Sequence, residues 1–111
     1  MLGYGENLKS IAVSFASSGD NTVLSAPTSP AYLAIDLFSV VPNAAVSLKL
    51  IRGTTDLTGT YSLTANQGFT LDNSFQNVDG VITCLPGEAF KVNLGSAVQV
   101  SGICRYRIIG E

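Results

Sequence analysis

The sequence contains no histidine. Histidine is the commonest general base near neutral pH and the commonest metal ligand, so its absence argues against the usual hydrolytic triads and zinc sites. A serine or cysteine nucleophile would need a lysine or a carboxylate as its base. Nothing in the sequence places Lys9, Lys49 or Lys91 beside such a nucleophile. We therefore predict a protein that is not an enzyme, with no catalytic residue, no cofactor and no metal site.

Charge is scarce as well. Charged residues make up 13% of the 111 residues, against roughly 25% in an average soluble domain. The net charge is −2 and the six cationic residues are scattered, whereas nucleic-acid binders carry a basic stripe that follows the phosphates. We expect no nucleic-acid partner. A weakly charged surface tolerates close contact with other proteins, which favours an oligomer or a larger assembly.

Long hydrophobic runs are missing. The longest, residues 31–41, contains Asp36 and is too short to span a bilayer. Residues 1–7 lack the basic region and apolar run of a signal peptide. We expect no membrane partner and synthesis in a cytoplasm, where Cys84 and Cys104 stay reduced. The sequence alone leaves open whether these two cysteines are bonded, because it does not give their distance.

What the sequence does have is alternation of apolar and polar residues with a period of two, which is typical of strands. In the last run Val100, Cys104, Tyr106 and Ile108 share one face. Turn residues such as Gly95-Ser96, which we interpret as a tight hairpin, separate the runs. The pattern predicts about eight strands, at residues 9–17, 21–26, 31–41, 45–52, 57–63, 67–72, 80–84 with 88–94, and 97–109. We predict an all-β protein, a jelly-roll or immunoglobulin-like β-sandwich over residues 9–111 with an N-terminal arm at residues 1–8.

Several polar or aromatic residues invite a binding hypothesis, and each has a simpler structural interpretation. Asp36 interrupts an apolar strand, and alternation predicts that it faces water opposite Ile35 and Leu37. Arg105 and Arg107 could hold an anion, but pairing with acids of a neighbouring strand is the commoner arrangement. The remaining candidates are a calcium site at Asp72, Asn73, Asp79 and Gly80, for which turn formation is favoured, and a sugar-stacking platform of Tyr4, Tyr32, Tyr61 and Phe69, for which core packing is favoured.

Five runs in the second half stand in a characteristic order. They are residues 44–50 (AAVSLKL), 57–59 (LTG), 63–71 (LTANQGFTL), 86–94 (PGEAFKVNL) and 98–102 (VQVSG), followed by Tyr106. In this order they resemble a group of small phage virion proteins of similar length, and the resemblance covers about residues 20–109. Phe90 stands where those proteins usually have leucine, and residues 1–19 have no counterpart.

The resemblance implies a β-sandwich on the virion. The role it implies first is that of a capsid decoration protein, a homotrimer that binds and stabilises the lattice of the major capsid protein on the capsid surface. Two alternatives stay open, a tail, neck or fibre component of the virion and a carbohydrate-binding module. From the residues we expect Leu2, Tyr4 and Leu8 of the arm to contact the partner. We expect the subunit interface on the polar face of the last strand, with the residues Ile103, Arg105, Arg107 and Ile109.

Overall fold

A computed structural model describes residues 8–74 and 78–110. These residues form ten strands and no helix, so the described part of the chain contains no helix that could cross a membrane. The strands are β1 (Lys9–Phe15), β2 (Gly19–Leu24), β3 (Tyr32–Pro42), β4 (Val46–Arg52), β5 (Thr55–Asp56), β6 (Tyr61–Leu63), β7 (Phe69–Asp72), β8 (Ile82–Cys84), β9 (Phe90–Leu94) and β10 (Val100–Ile109).

The strands make two antiparallel sheets. Sheet A has the order β1-β10-β3-β7, with β8 also on β3, and sheet B has the order β2-β9-β4-β5, with β6 also on β4. The pairs are nested along the chain: β1 pairs with β10, β2 with β9, β3 with β8, and β4 with β6. Nested pairs that alternate between two sheets are the arrangement of a jelly roll. The predicted all-β sandwich is confirmed, and of the two predicted versions the strand order matches the jelly roll.

The core lies between the inner faces of the two sheets. Phe38 of sheet A meets Phe90 of sheet B edge to face, with ring centroids 5.4 Å apart, and both side chains are fully buried. Edge-to-face pairs of this kind add about 1 kcal/mol to the free energy of burial. The core also takes in Cys84 and Cys104, which are free and fully buried. The prediction that Cys104 is a buried thiol is confirmed.

Two predicted connections are wrong. Gly95-Ser96 does not form a hairpin, because β9 lies in sheet B and β10 in sheet A. Residues 95–99 cross between the sheets, held by bonds from the Gly95 amide to the Ser47 carbonyl and from the Asn43 amide to the Gln99 carbonyl, both 3.0 Å long. The run predicted as 80–84 with 88–94 is also divided between the sheets, at the turn closed by the bond from the Glu88 amide to the Leu85 carbonyl.

Strand β3 changes its inward-facing side at Asp36. Arg105 of β10 pairs with Leu37, the next residue, Tyr106, pairs with Ile35, and Asp36 is the extra residue between them. Such a β-bulge shifts the alternation by one position. Before Asp36 the core residues are Leu33 and Ile35, and after it they are Phe38 and Val40. The prediction that inward-facing and outward-facing residues alternate without interruption through residue 37 is therefore wrong, because it places Phe38 on the outer side of the sheet.

Candidate protein-binding face

The outer side of sheet A is a broad exposed surface on which strands from distant parts of the chain meet. In an antiparallel sheet, directly paired residues project on the same side. We call the exposed part of this side the outer face of sheet A; it consists of Ser10, Ala12 and Ser14 of β1, Ser101, Ile103 and Arg105 of β10, Leu37, Ser39 and Val41 of β3, and Thr70 and Asp72 of β7. Ala34, Arg107 and Thr83 project on the same side beyond it but are buried or half-buried.

Apolar and small residues dominate this face. Ile103 is 39% exposed and Val41 is 43% exposed, while Leu37 is half-buried between Arg105 and Asp72. Arg105 and Asp72 are the charged residues of the outer face of sheet A, and both lie in one row at its end. The rest of the face is therefore open to contact without the cost of removing water from a charge.

Hydroxyl groups on this face hydrogen bond to one another across the strands. The hydroxyls of Ser39 and Thr70 lie 3.0 Å apart. The amide nitrogen of the Gln99 side chain donates to the Ser14 and Ser101 hydroxyls, each at 3.0 Å. Lateral bonding of this kind already satisfies part of the hydrogen-bonding capacity of these side chains. Covering them with another protein then leaves fewer unsatisfied groups than covering free hydroxyls would.

The outer face of sheet B is different. It consists of Asp20 and Thr22 of β2, Lys91 and Asn93 of β9, Ser47, Lys49 and Ile51 of β4, Asp56 of β5 and Ser62 of β6. Four of these residues are charged, and Ile51, the one aliphatic residue among them, is only 6% exposed. Lys49 pairs with Asp56 at 3.2 Å, with both side chains partly in water. The comparison makes the outer face of sheet A the candidate for protein contact and sheet B the solvated side.

Comparison with known proteins does not place the chain in a family. No family model, no curated protein and no solved structure matches it.

Of the four predicted interface residues, two are exposed on the candidate face and a third is buried. Ile103 and Arg105 are exposed there. Asp36 is only 4% exposed, so the expectation that it faces water is wrong, and Arg107 is only 7% exposed, so its predicted place in a subunit interface is wrong as well. The Arg107 guanidinium makes two bonds to the Asp36 carboxylate, at 2.7 and 2.9 Å. The pairing of an arginine with an acid of the neighbouring strand is the arrangement that the sequence favoured.

Asn73 completes this buried group. Its side-chain amide donates to Asp36 Oδ1 at 2.9 Å, and its backbone amide donates to the Asp36 carbonyl at 2.8 Å. The two strands that pair with β3 on the side away from β10 meet here, because β7 pairs with residues from Leu37 onward and β8 with residues up to Ile35. Asp36 is the extra residue of the bulge, and its bonds to Asn73 and Arg107 tie the end of β7 and β10 to β3. Its role is therefore to hold the sheet together.

The other predicted contact residues lie beside the ends of strands or outside the described residues. Ile109 pairs with Tyr32 at the end of β10 and is half-buried. Leu8 is half-buried just before β1. Leu2 and Tyr4 lie outside the described residues.

Asp79 and Gly80 of the candidate calcium site have structural roles in the fold. Asp79 accepts a bond from the Tyr32 hydroxyl at 2.7 Å through its side chain and one from Thr83 through its carbonyl. Gly80 has a φ of 77°, and a Cβ there would lie 2.5 Å from the Ile35 carbonyl oxygen. Among residues 8–74 and 78–110, no three Cys, Asp or Glu side chains come together as metal ligands would.

The aromatic residues of the candidate sugar platform are divided between the sheets. Tyr32 belongs to sheet A and Tyr61 to sheet B. The Tyr61 ring lies against Phe69, with centroids 4.8 Å apart, and Phe69 is part of the core. Tyr61 is the one aromatic among the large exposed hydrophobic side chains of the described residues. One exposed ring does not make a stacking platform.

Proposed function

We propose that this protein is a non-enzymatic phage structural protein, a capsid decoration protein that assembles as a homotrimer and binds the outside of the major capsid lattice. The observation that carries the proposal is the outer face of sheet A. It is exposed and carries few charges, and Ile103 and Val41 project from it. In the proposed trimer this face contacts the neighbouring subunit.

The physics of association supports such a contact. Apolar side chains stabilise a contact in proportion to the area they remove from water, by about 25 cal/mol per Å². Specific interfaces concentrate apolar side chains at the centre and leave charges at the rim. Directly paired residues form rows across the strands of this face. Ile103 and Ser39 lie in the central row, and Arg105 and Asp72 lie in the row at one end of the face.

The resemblance to small phage virion proteins and the jelly-roll strand order point in the same direction. Jelly rolls occur in viral capsid proteins and also in lectins, so the fold by itself does not select between the two classes. A tail, neck or fibre component uses the same kind of contact and remains the second structural candidate. The carbohydrate-binding alternative has weaker support, because Tyr61 has no exposed aromatic neighbour among the described residues.

The arm supplies the attachment to the shell in this proposal. Leu2, Tyr4 and Leu8 give it apolar and aromatic groups that can dock into grooves or add to a sheet edge of the capsid protein. One arm binds weakly, because ordering a segment costs entropy. Three arms on one trimer bind far more tightly, because the first contact raises the effective concentration of the others.

The experiment is a pair of matched substitutions. Ile103→Asp places a carboxylate in the centre of the outer face of sheet A, and Thr22→Asp places one on an exposed strand of sheet B. The mass of the assembly is measured by light scattering, and binding is measured by co-sedimentation with shells that lack the protein. We expect Ile103→Asp to reduce the mass to about one third and to weaken shell binding by at least about tenfold, since the three arms of a trimer are no longer linked. Thr22→Asp should change neither. Failure of the unaltered protein to bind the shells would reject the decoration role, and an unchanged mass for Ile103→Asp would reject the face as the subunit contact.

A further inference from the structure

Strand β1 is an open edge of sheet A. It pairs with β10 on one side, and no described strand pairs with the other. Alternate backbone amides and carbonyls of an edge strand point outward and can pair with another chain. With seven residues, β1 is the longest edge strand within residues 8–74 and 78–110.

The other edges carry features that hinder pairing. Strand β2 begins at Gly19 in a left-handed conformation and has a register shift between Thr22 and Leu24. The remaining edge strands, β5, β6, β7 and β8, are only two to four residues long. Short edges, bulges and charges are the usual protections against edge pairing. Strand β1 has no proline, no glycine and no bulge, and its one charge, Lys9, is at its end.

Ile11 is a second sign that a strand is missing beside β1. Its pairing with Cys104, a core residue, places it on the inner side of sheet A. It is nevertheless 38% exposed, whereas Val13 two residues later is 4% exposed. An additional strand next to β1 would cover Ile11 and would extend the core by one row.

We propose that β1 pairs with β1 of a second copy of this chain, in antiparallel orientation about a twofold axis at Ala12. In this register all seven residues pair. Ile11 of one copy lies opposite Val13 of the other, so the inner sides of the two sheets join. The outer sides meet through Ala12 and the two serines Ser10 and Ser14, which are small and exposed and leave nothing in the way.

The position of Lys9, the one charged residue of β1, favours the antiparallel pairing of two copies over the parallel one. The antiparallel register puts the two Lys9 side chains at opposite ends of the paired strands, separated by about 20 Å at 3.3 Å per residue. Like charges are thus kept well beyond the Debye length of about 8 Å at physiological salt. A parallel pair would put them side by side.

This pairing uses the backbone of β1 and its inner-side residue Ile11, whereas the proposed threefold contact uses the side chains of the outer face, so substitutions on opposite sides of the sheet distinguish the two. Together the two contacts give a hexamer, in which two trimers face each other across twofold axes. The twofold contact alone gives a dimer. Either way the number of copies is even.

The test uses charge beside the proposed axis, on the inner side of the sheet and away from its outer face. Ile11→Lys and Ile11→Glu each put a charge opposite Val13 of the second copy and diagonally beside the same charge at its residue 11. We expect each variant to have half the mass of the unaltered protein and a dissociation constant raised at least about tenfold. Mixing the two variants puts lysine diagonally beside glutamate and should restore the full mass. A mixture that stays at half mass would overturn this register.

The control is Lys9→Glu. It changes the charge on the inner side of the same strand, but the register keeps the two copies of residue 9 about 20 Å apart, so we expect pairing to survive. Combining Ile11→Lys with Ile103→Asp separates the two proposals. We expect a hexamer for the unaltered protein, a trimer for Ile11→Lys, a dimer for Ile103→Asp and a monomer for the double variant. An unaltered protein that is a monomer or a trimer at micromolar concentration overturns the edge pairing, and the threefold contact is then judged separately by Ile103→Asp.

Discussion

Arg107 of β10 holds Asp36 of the neighbouring strand β3 by two parallel hydrogen bonds. Nε donates to Oδ2 at 2.7 Å and Nη2 donates to Oδ1 at 2.9 Å, with both side chains almost fully buried. A buried charge is tolerated only when it is paired, because the desolvation of an unpaired charge is costly. The pair joins β3 to β10, and through Asn73 it joins both strands to the end of β7.

Removing one member of this pair should destabilise the protein strongly. We expect Asp36→Ala to lower the free energy of unfolding by about 3–5 kcal/mol, because it removes a bidentate charged partner from the buried Arg107 guanidinium. The exposed pair Lys49–Asp56 is the matched control, and Asp56→Ala should cost less than about 1 kcal/mol. Urea unfolding measures both. If the two costs were equal, the buried pair would not be a principal anchor of the sheet.

Gly102 permits the close approach of β10 and β3. It pairs with Val40, and a Cβ at this position would overlap the Ser39 carbonyl oxygen and lie 2.7 Å from the Val40 Cα atom. Because these are backbone atoms, they can move away only if the strands separate. We expect Gly102→Ala to cost about 1–3 kcal/mol, the usual range for overpacking.

Gly59→Ala is the control for Gly102→Ala, because a Cβ at residue 59 has no atom within 4 Å. Its cost should be near zero, since alanine also restricts the unfolded chain. Thermal unfolding of the two variants provides the comparison. A Gly102→Ala protein as stable as the Gly59→Ala protein would contradict the close packing of β10 on β3.

The two cysteines predict a loss of stability in alkaline solution. Burial raises the pKa of the Cys84 and Cys104 thiols from about 9 to about 12. Below pH 9 both thiols are protonated in the folded and the unfolded chain, and the contribution of their burial to the free energy of unfolding is fully present. Between pH 9 and pH 12 the unfolded chain loses these protons while the folded chain keeps them, so the free energy of unfolding falls as the pH rises.

The measurement for the thiols is urea unfolding over this pH range for the unaltered protein and the variant Cys84→Ala/Cys104→Ala. The difference between the two curves isolates the thiols from other groups. We expect a shallower decline for the double variant. We also expect the thiols of the folded protein to react with a maleimide only at the rate of unfolding, since the protonated buried thiol is a poor nucleophile. Fast labelling would contradict their burial.

Deleting residues 1–8 tests the arm. The deletion ends just before β1, so we expect the assembly to keep its mass and to lose co-sedimentation with shells, because only the docking segment is removed. Replacing Leu2 and Tyr4 with serine in the full chain is the milder variant and should weaken binding in the same direction. Undiminished shell binding by both variants would show that a surface other than the arm binds the shell.

The sequence predicted those parts of the fold in which the local pattern agrees with the final environment. The alternation in β10 placed Val100 and Cys104 in the core. It also placed Ile103 and Arg105 outside, where the structure has them. Alternation is a local property of one strand, and it therefore survives in the folded chain.

What the sequence did not predict depends on contacts between distant segments. Asp36 is buried because Arg107 and Asn73 reach it from 71 and 37 residues away. Such a pairing leaves no period in the sequence. Gly95-Ser96 has the composition of a hairpin, but sheet membership of the next strand is decided by the pairing of β10 with β1 and β3. The candidate face has the same origin, because Val41 and Thr70 join Ile103 only through the register.

The most direct test of the account is the accessibility of the outer face of sheet A in the assembled protein. The native thiols are buried, so one introduced cysteine is the only reactive thiol. Ser101→Cys places it on the outer face of sheet A, and Ser62→Cys places it on the outer face of sheet B, where both serines are exposed in the single chain. Maleimide labelling rates are measured in the assembled protein and again with Ile103→Asp. We predict that Ser101→Cys is labelled at least about tenfold more slowly in the assembly than with Ile103→Asp, since an interface core excludes solvent, and that Ser62→Cys is labelled equally fast in both. Equal rates for Ser101→Cys, or protection of Ser62→Cys instead, would contradict the claim that the protein assembles through the outer face of sheet A.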